Sequence, residues 1–178
     1  RAGQPLGRRR EKKAPRGEPA DHALGRSRGG FGTKIHVVTD ARGLILSVVL
    51  SGAQAHDSAY FEPALQGVRV PTRGRARSRP RQVVGDKAYD SRHIRSWLRR
   101  RGIGATIPER KDPRRRHRHP RFKRELYRAR SVVEQALGWH KERRCLGTRY
   151  DKLALNFLAM NHLALIEQYC RRLLSDRA

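Results

Sequence analysis

Short apolar runs separated by arginine-rich segments are the feature that most constrains the fold of this chain. Residues 33–39 (TKIHVVT) are β-branched and alternating, and residues 44–51 (LILSVVLS) form a second run of the same kind. Residues 40–43 (DARG) have the composition of a turn. Two β-rich runs joined by so short a connection predict a β-hairpin.

Further along the chain, predicted strands alternate with a predicted helix. Residues 82–86 (QVVGD) indicate a short buried strand that ends in an acid, and residues 102–107 (GIGATI) indicate another. Between them, residues 90 and 91 can cap a helix that runs to about residue 100. The order of strand, helix and strand predicts a mixed α/β sheet.

Three more segments have helical texture. They are residues 58–66, which Asp57 can cap, residues 121–144, and the mostly apolar residues 153–174. The last is interpreted as core packing, because nowhere does the chain have the run of about 18 apolar residues that a membrane span needs. With no signal peptide and two isolated cysteines, a cytoplasmic protein that does not bind membranes is expected.

The charge of the chain predicts a polyanionic partner. Its 42 Lys and Arg against 16 Asp and Glu give a formal net charge of +26, far more than solubility requires. DNA or RNA is the usual partner of such a chain. The most basic segments, residues 69–81 and 110–124, are predicted to be exposed loops, and residues 1–30 a flexible basic arm. Residues 31–174 would form one folded domain, followed by a tail at 175–178.

Asp86 is the first acidic residue whose position suits a metal ligand. It closes an apolar strand, where rigid backbone can hold a carboxylate at the open edge of a sheet. The alternative interpretation is a strand-end turn or a helix-capping aspartate. Asp40 also follows a strand, but it is interpreted as a hairpin-turn residue.

Glu134 is the second candidate acid. At about 100° per residue, Tyr127, Arg130, Glu134 and Lys141 would project from one face of a continuous helix. The alternative is an ordinary surface ion pair between Arg130 and Glu134, a common arrangement on helices. Spacing alone does not decide between the two interpretations.

These residues carry a resemblance to a known family. The chain resembles bacterial insertion-sequence transposases of the DDE superfamily, most closely the insertion-sequence-five group. The family signature is a Tyr, two residues, Arg, three residues, Glu, six residues and Lys, and this chain has that spacing without a gap from Tyr127 to Lys141. Residues 25–36 (GRSRGGFGTKIH), 85–90 (GDKAYD) and 149–152 (RYDK) are also similar to family segments, so the resemblance covers nearly the whole chain.

The resemblance implies a fold and a chemistry. The fold would be a ribonuclease H-like mixed sheet flanked by helices, and the activity would be DNA cleavage and strand transfer by two-metal phosphoryl transfer. Asp86 and Glu134 would be the second and third catalytic acids and would bind Mg²⁺ (or Mn²⁺). Tyr127, Arg130 and Lys141 would position the substrate, possible homo-oligomers would assemble on DNA, and phosphates would be contacted by Arg73, Arg75, Arg77, Arg114, Arg115, Arg116 and Lys141.

One element of the family pattern lies outside this sequence. The family places its first catalytic aspartate at the end of a strand upstream of the basic, glycine-rich segment, which here means upstream of Arg1. Asp21 and Asp40 do not resemble substitutes. The sheet is therefore expected to lack its first strand, which would be an edge strand. The chain alone is expected to be inactive. Two alternatives remain open: a non-catalytic DNA-binding remnant of such an enzyme, and a basic RNA-binding protein.

Overall fold

The computed structural model describes residues 15–109 and 122–175, and within them the chain is an α/β protein. Its strands are β1 (Gly25–Ser27), β2 (Gly30–Thr39), β3 (Ile45–Gly52), β4 (Gln82–Val84) and β5 (Gly104–Thr106). Its helices are α1 (Phe61–Gln66), α2 (Arg92–Arg100), α3 (Arg124–Arg128), α4 (Ser131–Lys141), α5 (Arg144–Gly147) and α6 (Ala154–Ser175), with 3₁₀ turns at Asp57–Tyr60 and Lys87–Tyr89.

The predicted hairpin is confirmed. β2 and β3 pair antiparallel, and the Asp40 carboxylate accepts the backbone N–H groups of Arg42 at 2.9 Å and Leu44 at 2.8 Å. Gly43 has a φ of 83°, a conformation that glycine adopts without steric cost. Asp40 is therefore a turn residue, as its sequence context predicts.

The strands form two sheets where the sequence predicts one. β1, β2 and β3 make an antiparallel sheet, while β4 and β5 make a separate parallel pair. β1 pairs only with the first residues of β2, from Gly30 to Gly32. Within the described residues, the rest of β2 therefore has a strand partner only in β3, and β4 has one only in β5.

One hydrophobic cluster lies under α1 and α2. The predicted helix over residues 90–100 is confirmed as α2, with the Ser91 hydroxyl accepting the Ile94 N–H at 3.1 Å. α2 buries Ile94 and Trp97 against Phe61 of α1. Val38 of β2 and Val83 of β4 pack against this same cluster, as do other partly buried residues. The two sheets thus share a core although they share no hydrogen-bonded ladder.

The opposite face of the hairpin packs against α4 and α6. Because side chains alternate along a strand, Ile35 and Val37 point away from Val38, and they pack instead with clusters that contain Ala136 of α4 and Phe157 of α6. The predicted helix over residues 153–174 is confirmed as α6. No helix among the described residues has the length and apolar character needed to span a membrane.

The prediction of one continuous helix over residues 121–144 is wrong. Residue 121 lies outside the described residues, and a turn at Ala129 and Arg130 separates α3 from α4. In that turn the N–H groups of Arg130, Val132 and Val133 bond to carbonyls three residues back. Such bonds wind the chain more tightly than an α-helix, and a second break separates α4 from α5.

The segment before β2 also differs from the predicted arm over the part that the structure describes. From residue 15 onward it packs against α6, and the Glu18 carboxylate accepts the first N–H groups of that helix, from Ala154 at 2.7 Å and Leu155 at 3.0 Å. The Glu18 side chain is inaccessible to solvent. Composition does not reveal this order, because polar contacts such as the Glu18 carboxylate at a helix N-terminus hold the segment, with Ala23 as its buried apolar side chain.

Arg149 joins this segment to β2 and to the residues before α6. Its guanidinium donates to the carbonyl of His22 at 2.9 Å and to the Thr33 hydroxyl oxygen. It also donates to the carbonyls of Asp151 at 2.8 Å and Lys152 at 3.0 Å. One planar guanidinium therefore satisfies acceptors from three separate stretches of chain. Arginine can do this because its guanidinium carries five N–H donors in a fixed planar arrangement.

Replacement of Arg149 should destabilise the fold strongly. In Arg149→Ala the carbonyls lose their donor inside the structure, and we expect the free energy of unfolding to fall by about 2–4 kcal/mol. Arg149→Lys should recover only part of the loss, because an ammonium group cannot reach all the acceptors at once. Urea denaturation measures the change.

The matched control is Arg144→Ala, which removes an exposed arginine of α5. This variant should unfold within about 0.5 kcal/mol of the unmodified chain. Equal stabilities for the Arg149→Ala and Arg144→Ala variants would contradict the role assigned to Arg149.

Candidate functional site

Asp86 lies where the sequence predicts it, just beyond the end of β4. It precedes the 3₁₀ turn at Lys87–Tyr89, and its carboxylate accepts the backbone N–H of Lys87. The residue is exposed to solvent. The hydrogen bond corresponds to the capping interpretation, and it leaves further lone pairs of the carboxylate available to other partners.

Glu134 lies in the first turn of α4 with its side chain 62% exposed. Its carboxylate accepts a hydrogen bond from the Arg130 guanidinium at 2.6 Å. The surface ion pair that the spacing suggests is therefore present. An exposed pair of this kind stabilises a helix by only a few tenths of a kcal/mol. This small gain in stability does not by itself explain why the pair is present.

Arg130 interacts with the charges of both acids. Partial burial of its guanidinium opposes the charged form, yet the hydrogen bond and charge of Glu134 raise the pKa of Arg130, and the charges of Tyr127 and Asp86 add to this effect. Glu134 contacts the guanidinium directly, whereas the effect of Asp86 is the smallest of these and is electrostatic only.

The remaining signature residues flank this cation. The Tyr127 ring lies in α3, 5.9 Å from the Arg130 guanidinium carbon and 5.3 Å from the Phe122 ring. Lys141 is the exposed last residue of α4. The four signature residues are thus divided between two helices, and Arg130 lies at the junction between them.

A second polar cluster adjoins this region, and sequence reasoning missed it. The Asp57 carboxylate lies 2.9 Å from the Lys34 ammonium and 4.0 Å from the His36 imidazole. The buried His36 ring stacks on Tyr60 with centroids 4.6 Å apart, and its Nε2 lies 2.8 Å from the Ser51 hydroxyl. Asp57 was expected to cap a helix, but its carboxylate pairs with Lys34, 23 residues away in sequence, a separation that no local pattern indicates.

Tyr89 connects this cluster with Asp86. Burial raises the pKa of the Tyr89 hydroxyl, and the charges of Asp57 and Asp86 raise it further. The charges of two carboxylates on different elements therefore influence the same tyrosine. Among the described residues, no three His, Cys, Asp or Glu side chains converge closely enough to form a complete metal site.

The basic loop over residues 69–81 is exposed, as predicted. Val70 and Arg77 exchange two backbone hydrogen bonds of 2.8 Å each, which close the loop into a small ring. Arg73, Arg75 and Arg77 are all exposed. Arg114, Arg115 and Arg116, which were expected to act with them, lie outside the described residues.

Two comparisons identify relatives of the chain. The family described as "Transposase DDE domain" matches residues 6–166. A putative transposase for insertion sequence element IS402 from Burkholderia cepacia is 34% identical over 125 residues, which cover 69% of this chain and 56% of that protein. The chain thus spans a little over half the length of this relative. No solved structure is significantly similar to it.

Burial of His36 predicts a pH dependence of stability. Burial lowers the pKa of His36, with the Asp57 charge opposing and the Lys34 charge reinforcing the shift. Burial likewise lowers the pKa of His140. The unfolded chain therefore binds more protons than the folded chain below the ordinary histidine pKa of about 6.5, and stability should fall as the pH drops from 7.5 to 5.5.

The contribution of His36 can be isolated by substitution. His36→Gln should flatten the dependence by up to about 1.4 kcal/mol per pH unit, the limit for a single proton. The exposed His56 provides the control, since His56→Gln should keep the full slope. Urea denaturation at several pH values tests this, and identical slopes for the His36→Gln variant and the unmodified chain would contradict it.

Proposed function

This chain belongs to the transposase DDE domain family, and on that premise we propose that it forms most of a catalytic domain that cleaves DNA and transfers strands. The observation that carries the proposal is the pair of exposed acids, Asp86 at a strand end and Glu134 on α4. Glu134 accepts a hydrogen bond from Arg130 at 2.6 Å, and the charge of Asp86 adds a smaller electrostatic effect on the same guanidinium. The family resemblance names these two acids, and their common effect on Arg130 supports their placement in one site.

We propose a ribonuclease H-like sheet with one strand supplied from upstream of Arg1. β2 beyond Gly32 and β4 each have strand partners on only one side within the described residues. Val38 and Val83 pack against a common cluster, so a strand between β2 and β4 would join the two sheets into one. That strand would be central, whereas the sequence suggested an edge strand, and an aspartate at its end would lie near Asp86.

The chemistry of the donors fits a hard divalent cation. Mg²⁺ binds protein through one or two carboxylates and keeps water and phosphate oxygens as its other ligands, so Asp86 and Glu134 suffice for this chain's share of a site. Mn²⁺ accepts the same ligands. Such ions, when bound, act as Lewis acids on the reacting phosphate oxygens. The upstream aspartate would complete the set of carboxylate ligands of the metal site.

The surrounding residues position these acids. The Lys87 N–H orients the Asp86 carboxylate, and Arg130 holds the Glu134 side chain in one direction and offsets its negative charge near DNA. Tyr127 lies over the other side of Arg130, and Lys141 stands at the exposed end of α4. We propose that these last two residues contact the phosphate next to the scissile bond.

DNA is the proposed partner because the positive charge is exposed and spread over several segments. Arg73, Arg75 and Arg77 form a solvent-exposed group on the ring that Val70 closes. Phosphate contacts of this type orient a protein on the duplex but carry little sequence information. The same role is proposed for Arg114, Arg115 and Arg116. We further propose that homo-oligomers of the chain assemble on DNA.

The catalytic roles of the two acids are tested in a version of the chain extended upstream to include the first aspartate. Glu134→Gln and Asp86→Asn each remove a negative oxygen and keep side-chain shape. Metal-dependent nicking of DNA should fall more than about a hundredfold, since even the outer partners of metal ligands are worth about 10–100-fold. DNA binding should stay equal or rise slightly.

Asp40→Asn is the matched control, because Asp40 is a turn acid, and this variant should nick DNA normally. If the ion pair were the whole role of Glu134, the Glu134→Gln variant would lose a few tenths of a kcal/mol of stability and keep its activity. That result would favour a DNA-binding remnant. The unextended chain should be inactive in every form.

The second test concerns the salt dependence of DNA binding. The association constant should fall steeply with salt, with a logarithmic slope of about −0.9 for each neutralised phosphate. Replacing Arg73, Arg75 and Arg77 together by Ala should make the slope shallower by about 2–3. The triple replacement of Arg114, Arg115 and Arg116 should have a similar effect.

The matched control is the double variant Arg99→Ala and Arg100→Ala, which removes exposed charge from the end of α2. Its slope should change less than that of either triple variant. A flat salt dependence would rule out binding dominated by phosphate contacts. Tighter binding to single-stranded RNA than to duplex DNA at equal salt would favour the RNA-binding alternative.

A further inference from the structure

Helix α6 exposes a second apolar stripe on the side away from the core. Leu163 is 57% exposed, Ile166 59%, Leu173 62% and Leu174 69%. Ala159 and Cys170 are exposed as well. Single exposed leucines are common on protein surfaces, but a contiguous row on one helix marks an interaction site.

The stripe has the spacing of a coiled-coil seam. Ala159, Leu163, Ile166, Cys170 and Leu173 follow one another at alternating steps of four and three residues, the heptad repeat by which two helices pack side by side. The buried face of α6 is formed by other positions, among them Phe157, Asn161 and Ala164. The helix therefore contributes one face to its own core and presents a second, separate face to solvent. We call the second face the α6 seam.

The charge around the α6 seam makes DNA a poor partner for it. Residues 154–170 contain one charged side chain, Glu167, in a chain whose formal net charge is +26. Arg171 and Arg172 follow at the end of the seam, where Arg171 pairs with Glu167 and Arg172 donates to the Arg42 carbonyl. Most of the seam thus lacks the cations that phosphate binding requires. It is also a face at which two such basic chains can approach with less repulsion than at the arginine-rich loops.

The segments of this chain outside the described residues do not match the α6 seam. Residues 1–14 contain one leucine and no other large apolar side chain, and residues 110–121 and 176–178 contain none. A seam of alternating apolar positions requires a helix with a similar row. Within this sequence, the surface that supplies one is the α6 seam itself.

We infer that the α6 seam binds the same seam of a second copy of this chain, with the two helices parallel. In that arrangement Leu163 and Cys170 face their own counterparts. The exposed Asn156 lies seven residues before Leu163 and does the same, and a polar Asn at such a position specifies register. The flanking positions then bring His162 of one copy near Glu167 of the other, whose carboxylate also pairs with Arg143 and Arg171 of its own chain. The inference goes beyond the proposed function and does not depend on it.

The size of the α6 seam indicates a reversible dimer. The stripe from Ala159 to Leu174 is about 23 Å long at 1.5 Å per residue. Two such stripes bury an area at the low end of specific interfaces, below about 1,200 Å² in total. The dimer should therefore dissociate in the micromolar range, and joint binding to one DNA molecule should raise its population through effective concentration.

Cys170 lies in the α6 seam and provides a direct test. In a Cys145→Ser background, diamide, which takes up two hydrogen atoms for each disulfide formed, should link two chains through Cys170. A Cys170→Ser variant that keeps Cys145 should stay largely uncrosslinked. Sedimentation of the unoxidised 178-residue chain should show a concentration-dependent dimer.

Ile166→Glu supplies the interface variant and Phe31→Glu its control. Ile166 and Phe31 are both well exposed, at 59% and 72%, so neither change should unfold the chain, which circular dichroism verifies. Ile166→Glu should lower the rate of Cys170 crosslinking at least about tenfold, and Phe31→Glu should leave it nearly unchanged.

Three outcomes would overturn the inference. They are a monomer at the highest attainable concentration, a dimer that persists with Ile166→Glu, and a dimer whose Cys170 thiols do not crosslink. None of these bears on cleavage by Asp86 and Glu134. Loss of cleavage in the variants of those acids likewise leaves this test intact.

Discussion

The hydrogen bonds made by Arg149 and Glu18 are the constraint on which the remaining architecture depends. Arg149 donates to the His22 carbonyl before β1, to the Thr33 hydroxyl oxygen in β2 and to the Asp151 carbonyl before α6. The Glu18 carboxylate accepts the first N–H groups of α6. These contacts fix the start of α6 relative to β2. The position of α6 in turn determines the cluster in which α4 packs, and α4 carries Glu134. The placement of one candidate acid therefore depends on polar contacts made at the other end of the domain.

Positive charge is distributed unevenly over the chain. Arginines concentrate in exposed loops such as residues 69–81, whereas residues 154–170 of α6 carry only Glu167. Near the candidate site, Arg130 offsets the charge of Glu134 and is influenced by Asp86. A nearby cation lowers the repulsion between such carboxylates and the phosphates of DNA. The proposed metal-dependent site would need this balance of charge.

Sequence predicted most elements but not how they combine. The β2–β3 hairpin, α2, α6 and the exposed loop around Arg73 follow from local patterns of alternation, capping and charge, and all are present. The division into two sheets was missed because hydrogen-bonded pairing between distant strands leaves no local signal. The ordering of residues 15–30 was missed because it rests on Glu18, whose partners are in α6. Family resemblance identified Asp86 and Glu134, and spacing alone left an ion pair as an equal alternative.

The distance between the carboxylates of Asp86 and Glu134 tests the central claim most directly. It can be measured in a crystal structure of the chain, extended to include the first aspartate, with Mn²⁺ located by its anomalous scattering. The account predicts that both carboxylates bind the same metal cluster, with ions about 3.5–4 Å apart when two are present. Well-ordered carboxylates more than about 10 Å apart, a distance that two-metal geometry cannot bridge, with Mn²⁺ bound at neither, would contradict it.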